Sequence, residues 1–192
     1  MILSAGLGAP HGGWLAFEPD PGRRVRAELL DEGLDIITGL WAGQPFTYEG
    51  RHYRVTPTDF QLPPPPAQRP RIPIWVVGGW PAPRSMRRAA RYDGWLPNMV
   101  SHRGRPVPEL TPAVLAEAVA WLRTERAAAG LDPAGYDVVV DGAVTGDGAP
   151  DPARVREWAD AGATWWLETD WSVGRDDVRR FGLARLGKGP PR

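Results

Sequence analysis

The run Ile72-Pro73-Ile74-Trp75-Val76-Val77-Gly78-Gly79 constrains the fold most. It is apolar without alternation and ends in paired glycines. A strand with one wet face alternates apolar and polar residues; a strand covered on both faces does not. This segment therefore predicts a buried strand in a parallel sheet, over Pro73–Gly79. Four more segments read as strands: Ile2–Ala9, buried and running into the turn Gly6-Leu7-Gly8; Trp95–Val100; Asp137–Val144; and Thr164–Thr169. Helical periodicity separates them. Val25, Leu29, Leu30, Leu34, Ile37, Leu40 and Trp41 form one apolar stripe over Arg23–Trp41, with Gly43 as its stop. A short helix is predicted over Pro83–Arg91. The helix Thr111–Ala129 has Pro112 in its first turn and Gly130 at its end. Helices over Asp151–Ala161 and Arg175–Leu186 complete the series, and the tail from Gly187 is expected to fray.

The first helix is followed by an interruption. Phe46–Val55 has β-forming residues on both sides of Glu49-Gly50 and predicts a hairpin with its turn there. The prolines of Pro63–Pro66 then force extended chain up to Arg71. Residues 44–72 are thus an insertion in a succession of βα units. Buried parallel strands with right-handed crossovers leave two architectures, an open doubly wound sheet or a barrel. Periodicity does not choose between them. A complete eight-stranded barrel takes about 250 residues, and this chain has 192.

Composition excludes several function classes. The 23 basic and 23 acidic residues cancel, which argues against a nucleic-acid binder or a partner of anionic membranes. There is no cysteine and only His11, His52 and His102, so neither a disulfide framework nor a zinc site is expected. No apolar run has the length of a membrane span, and the first residues lack the pattern of a secretory signal. A cytoplasmic location is the default expectation. The 10 tryptophans fall mostly at strand ends and on helix faces, and read as core or pocket walls.

An ordered series of motifs adds a resemblance. It comprises Arg26-Ala-Glu-Leu-Leu-Asp31-Glu32-Gly33-Leu34, Leu40-Trp41, Phe46-Thr-Tyr-Glu49-Gly50-Arg-His52-Tyr53, Gln68-Arg69-Pro70, Ile72-Pro73-Ile74-Trp75-Val76, Gly78-Gly79, Arg88-Ala-Ala-Arg-Tyr-Asp93-Gly94-Trp95 and Ala161-Gly-Ala-Thr164-Trp165-Trp166-Leu-Glu168. In this order they resemble the bacterial-luciferase-like, flavin-dependent monooxygenases and oxidoreductases, a (β/α)8 TIM-barrel family, over nearly the whole chain. The resemblance implies an α/β fold and a partial barrel, strands four to eight, with the hairpin inserted. It also implies one domain over 1–192, truncated at the N-terminus. Barrel strands one to three have no counterpart, so the edges at strands four and eight are expected to need a partner, either a second copy or a chain supplying the missing strands.

The resemblance further implies FMN or deazaflavin as cofactor, NAD(P)H as a possible electron source, and a small organic substrate. Gly6, Gly8, Gly78 and Gly79 end strands on the face where barrel ligands bind. They read either as turn glycines or as a cradle for the cofactor phosphate. Arg84 is a candidate phosphate partner and otherwise a solvated surface residue. Asn98 and Glu168 are placed at the pocket mouth. The catalytic residues stay unidentified, with His11 and Glu168 as candidates; the alternative for Glu168 is an ion pair with an arginine. Asp31 and Glu32 are adjacent on a helix, hence about 100° apart, and cannot face one centre. Glu32 is expected to pair with a neighbouring arginine. Asp93-Gly94 reads as a turn before a strand, and His52 and His102 as surface residues. Two other functions remain open, a catalytically incomplete fragment that binds cofactor phosphate or only oligomerises, and an unrelated open α/β binding protein.

Overall fold

In a computed structural model, the described residues are 1–8, 16–57, 66–132, 134–142, 152–170 and 172–188. The chain divides into two compact units, Met1–Val77 and Gly78–Arg192. The first contains β1 (Leu3–Ala5), α1 (Arg23–Ala42), β2 (Tyr48–Glu49), β3 (Arg54–Val55) and the start of β4 (Ile74–Trp80). The second contains the end of β4, then α2 (Pro83–Ala90), β5 (Gly94–Met99), α3 (Pro112–Ala128), β6 (Asp137–Gly142), α4 (Pro152–Asp160), β7 (Trp165–Glu168), a 3-10 turn (Arg175–Asp177) and α5 (Val178–Lys188).

The main sheet has the order β1-β4-β5-β6-β7. Its pairs β1/β4, β5/β6 and β6/β7 are parallel. The strand order follows the chain order without reversal, whereas a doubly wound sheet reverses at its switch point. The topology is therefore that of a barrel segment, the choice that periodicity left open.

β4 is buried along nearly its whole length, as its unalternating sequence requires. It runs one residue past the glycine pair, to Trp80. β1 differs from expectation: it is three residues long and part-exposed, with Ser4 in solvent. As an edge strand it has one neighbour, with Leu3, Ser4 and Ala5 opposite Ile74, Trp75 and Val76. In the second unit the core gathers Met86, Trp95, Leu115, Leu122 and Val138–Val140. Each such side chain contributes about 1.5–3 kcal/mol on burial. The start of α3 is set by Thr111, whose hydroxyl accepts from the Val114 N–H. Its end is set by Gly130 at φ 69°, a conformation glycine adopts freely. The last helical segment opens as the 3-10 turn rather than as α-helix, and Gly187 continues α5 instead of fraying. Asp151, with which the predicted helix Asp151–Ala161 begins, lies outside the described residues.

In the first unit, α1 forms as predicted, but most of its stripe is only half-buried; Glu32 and Leu34 are its buried residues. The hairpin turn lies two residues beyond the expected place. Tyr48 pairs with Val55 and Glu49 with Arg54, leaving Gly50–Tyr53 as the loop. The Gly50 N–H donates to the Tyr53 carbonyl at 2.9 Å. The cause is remote in sequence. The Glu32 carboxylate accepts the backbone N–H of Arg51 at 2.9 Å, of His52 at 3.0 Å and of Tyr53 at 2.9 Å. A Cβ on Gly50 would collide with Glu32 Oε2, so the loop closes over the carboxylate only with glycine there. Arginine pairing falls instead to Glu28, one turn earlier, which meets Arg24 at 2.9 Å and Arg51 at 3.2 Å. His52 joins it, with Nε2 2.8 Å from Glu28 Oε2 and its side chain only 20% exposed. It is therefore part of the hairpin anchor rather than a surface residue. His102 lies in a tight turn closed by the Arg105 N–H on its carbonyl.

Candidate functional site

Strand ends in the second unit supply the candidate site. Gly78 and Gly79 are buried inside β4. The indole N–H of Trp95 donates to the Gly78 carbonyl at 2.9 Å, and a Cβ on Gly78 would come 2.7 Å from the indole and 3.0 Å from the Ala89 Cβ. Gly78 is thus required by packing. The Gly79 N–H donates to Ser85 Oγ at 2.8 Å. The Gly79 carbonyl accepts from the Ala82 N–H, and the Val100 N–H donates to the Trp80 carbonyl. The glycine pair therefore shapes the junction, with the Gly79 N–H bound inside it, as the turn-glycine reading of the two left open by the sequence has it.

After β4 come the turn Trp80–Ala82 and the start of α2. Ala82 caps this helix without a side-chain hydrogen bond, and the first turn carries no acidic residue. Arg84 is exposed there. Ser85 accepts from Gly79 and keeps its own hydroxyl proton for another acceptor. The sequence does contain a signal for Ser85, a hydroxyl six residues after the second glycine and within the first helical turn. A reading centred on the glycines misses it.

Asn98 is exposed near the end of β5. Glu168 ends β7 but does not open to a mouth. Its Oε2 accepts from the Trp166 indole N–H at 3.1 Å, and its Oε1 lies 3.6 Å from Arg185 Nε of α5. Trp166 in turn packs on Trp158 of α4, with ring centroids 6.5 Å apart. Residues two apart on a strand share a face, so Glu168 is turned toward the helices. The arginine pair that the sequence offered as its alternative role is present. Arg185 Nε and Nη1 are buried with no hydrogen-bond partner among the described residues. In the first unit, Gly6 adjoins Val77, where a Cβ would meet the valine methyl at 3.0 Å, and Gly8 has φ 73°. His11 lies outside the described residues.

Among the described residues no group of histidine, aspartate and glutamate forms a metal site, and no helix is long and apolar enough to cross a membrane. A cavity of about 420 Å³ lies between the starts of α3 and α4, lined by Glu109, Thr111, Arg154, Glu157 and Trp158 among others. It is built from the segment leading into α3 and from α4, and not from strand ends.

Known proteins share this fold. The monooxygenase RslO1 of Streptomyces bottropensis superposes with a TM-score of 0.54 at 21% identity, over 97% of this chain and 48% of its own. The coenzyme F420 dependent tetrahydromethanopterin reductase of Methanopyrus kandleri gives 0.69 at 15% identity, over 99% of this chain and 73% of its own. The oxygenating constituent of 3,6-diketocamphane monooxygenase of Pseudomonas putida, solved with FMN, gives 0.53 at 18% identity, over 76% of this chain and 40% of its own. At these identities the likeness is one of fold. In sequence, the uncharacterized protein Rv0940c of Mycobacterium tuberculosis is 37% identical over 71 residues, 37% of this chain and 23% of that protein. The chain thus spans about half the length of RslO1, and its match covers under a quarter of the mycobacterial relative. The profile of the luciferase-like monooxygenases matches residues 9–187. The chain belongs to the luciferase-like monooxygenase family.

Proposed function

We propose that this chain carries the cofactor-phosphate site of a flavin- or deazaflavin-dependent oxidoreductase acting on a small organic substrate. The observation behind this is the junction of β4 and α2, where Ser85 is locked to Gly79. The first N–H groups of a helix have no partner inside it and, with the helix dipole, favour an anion. At α2 these are the N–H groups of Arg84 and Ser85, since Pro83 has none and the Ala82 N–H is given to the Gly79 carbonyl, and no side-chain cap or acidic residue competes for them. The Ser85 hydroxyl adds a donor, and the Arg84 guanidinium adds a charge suited to phosphate. This donor set fits a phosphate group. The glycines let the strand pass beneath Trp95 and hold Ser85 in place.

The Methanopyrus reductase depends on F420 and the Pseudomonas oxygenating constituent was solved with FMN, both phosphate-bearing cofactors. A bound reduced cofactor would supply the electrons for oxygen activation or a hydride for transfer, with NAD(P)H as electron source. The chain's own part is to hold and orient it. No residue is assigned a catalytic role.

The test is a comparison of FMN with riboflavin, which lacks the phosphate, by flavin-fluorescence titration, with F420 as a third ligand. FMN is expected to bind more tightly than riboflavin. Ser85→Ala and Arg84→Ala should each weaken FMN about tenfold, as loss of a charge-assisted hydrogen bond does, and leave riboflavin unchanged. Equal affinity for FMN and riboflavin, or no binding of FMN or F420, overturns the proposal.

A further inference from the structure

The cavity between the starts of α3 and α4 takes no residue from a strand and none from the β4–α2 junction. Its volume of about 420 Å³ falls within the roughly 300–1,000 Å³ of small-molecule pockets. Each of its two walls brings one carboxylate and one hydrogen-bond donor. The α3 wall has Glu109 and, two residues on, Thr111. The Thr111 oxygen accepts from the Val114 N–H at 3.3 Å as the helix cap, and its own proton is left for another acceptor. The α4 wall has Arg154 and Glu157.

Arg154 and Glu157 stand three residues apart on α4, neighbours on one helix face and spaced to pair. Neither side chain makes an ion pair or a hydrogen bond among the described residues, and neither does that of Glu109. Both signs of charge thus face one cavity without closing on each other. Behind them lies Trp158, only 8% exposed. Its ring packs on Trp166, and its indole N–H has no hydrogen-bond partner among the described residues. A buried donor left unmet costs about 1–3 kcal/mol. The cavity that Trp158 lines is where an acceptor can reach it.

A metal ion here would meet the Arg154 charge, and a simple anion would meet two carboxylates. A molecule carrying both charges satisfies every group. We propose that this cavity binds a small zwitterion, an α-amino acid with an apolar side chain. Its carboxylate accepts from Arg154, the Thr111 hydroxyl and the Trp158 indole. Its ammonium donates to Glu109 and Glu157. The apolar side chain lies against Leu110 and Pro112, which also line the cavity. The site stands apart from the flavin reading and does not depend on it.

Ligand-observed NMR titration of the whole chain with L-leucine and two analogues tests this. N-acetylleucine keeps the carboxylate and lacks the ammonium; leucinamide keeps the ammonium and lacks the carboxylate. Leucine is expected to bind, and each analogue about tenfold more weakly, as loss of a charge-assisted hydrogen bond implies. Arg154→Ala should weaken leucine about tenfold and leave leucinamide unchanged. Glu157→Gln should weaken leucine by a similar factor and leave N-acetylleucine unchanged. Trp158→Phe keeps a ring against Trp166 and removes the N–H, and should weaken leucine by a smaller factor. Arg154 and Glu157 are exposed, so the melts of their variants should match that of the wild type. Absence of leucine binding, analogues that bind as tightly as leucine, or unchanged leucine affinity in either Arg154→Ala or Glu157→Gln overturns the inference.

Discussion

The two units solve the same problem with opposite charges. In the first, the Glu32 carboxylate collects three backbone N–H groups from the hairpin loop. In the second, the Arg126 guanidinium collects backbone carbonyls. It donates to Ala90 and Tyr92, both at 2.8 Å, and to Asp132 at 2.6 Å. It also lies over the Tyr136 ring, 4.3 Å from the centroid. Both residues are 9% exposed. Each sits on a helix and ties down a loop by pairing with its backbone polar groups. The difference lies in titration. A carboxylate loses its charge in mild acid, whereas guanidinium groups as a class stay charged at any working pH.

Breaking the basic anchor should have the largest effect. Arg126→Ala takes the guanidinium donor away from three carbonyls and uncovers Tyr136. It should cost roughly 3 kcal/mol or more in a denaturant melt, the range for loss of a buried charged hydrogen-bonding group. Arg126→Lys keeps the charge but not the fork, and should recover part of that loss. The acidic anchor acts more locally. Glu32→Ala should raise the amide exchange of Arg51, His52 and Tyr53 by about an order of magnitude, with β5 and β6 amides unaffected. If those strands change equally, the anchors are not independent.

Acid should then distinguish the two without mutation. Burial pushes the Glu32 carboxyl up, but the N–H groups of His52, Tyr53 and Arg51 outweigh it and hold it below the usual glutamate value. Glu28 is lowered as well, first by His52 and then by Arg24. A depressed carboxylate contributes fully above its unfolded value and loses its contribution as pH falls through the folded one. Hairpin protection, corrected for intrinsic exchange, should therefore be constant near neutrality and fall from about pH 5 downward. The loops held by Arg126 should show no such step. The smallest effect is expected at Arg24, whose side chain is 83% exposed in its pair with Glu28. Arg24→Ala should move the melting temperature by no more than about 1 °C, as exposed pairs do.

Much of the fold is legible in local sequence because its causes are local. β4 reads as buried since nothing in Ile74–Val77 alternates, and α3 is delimited by Thr111, Pro112 and Gly130. The failures come from causes distant in the chain. The hairpin turn depends on Glu32, about twenty residues earlier. The exposure of β1 depends on its having one neighbour. Glu168 turns toward the helices because pleat and register decide which face a side chain takes, and a single strand does not reveal which face the helices cover. The hydroxyl partner of Gly79 is a residue of the next element, so the glycine pair alone leaves turn and anion cradle undecided.

The unreversed strand order has a kinetic consequence. In the second unit each strand and helix packs on elements close to it in the chain, β5 on β6, β6 on β7, α2 on α3 and α3 on α4. Short loops closed early cost little entropy, and low contact order favours rapid assembly. The unit is expected to zip from a nucleus around Trp95 and α3, recruiting one βα repeat at a time, and to lose β7 and α5 first when it opens.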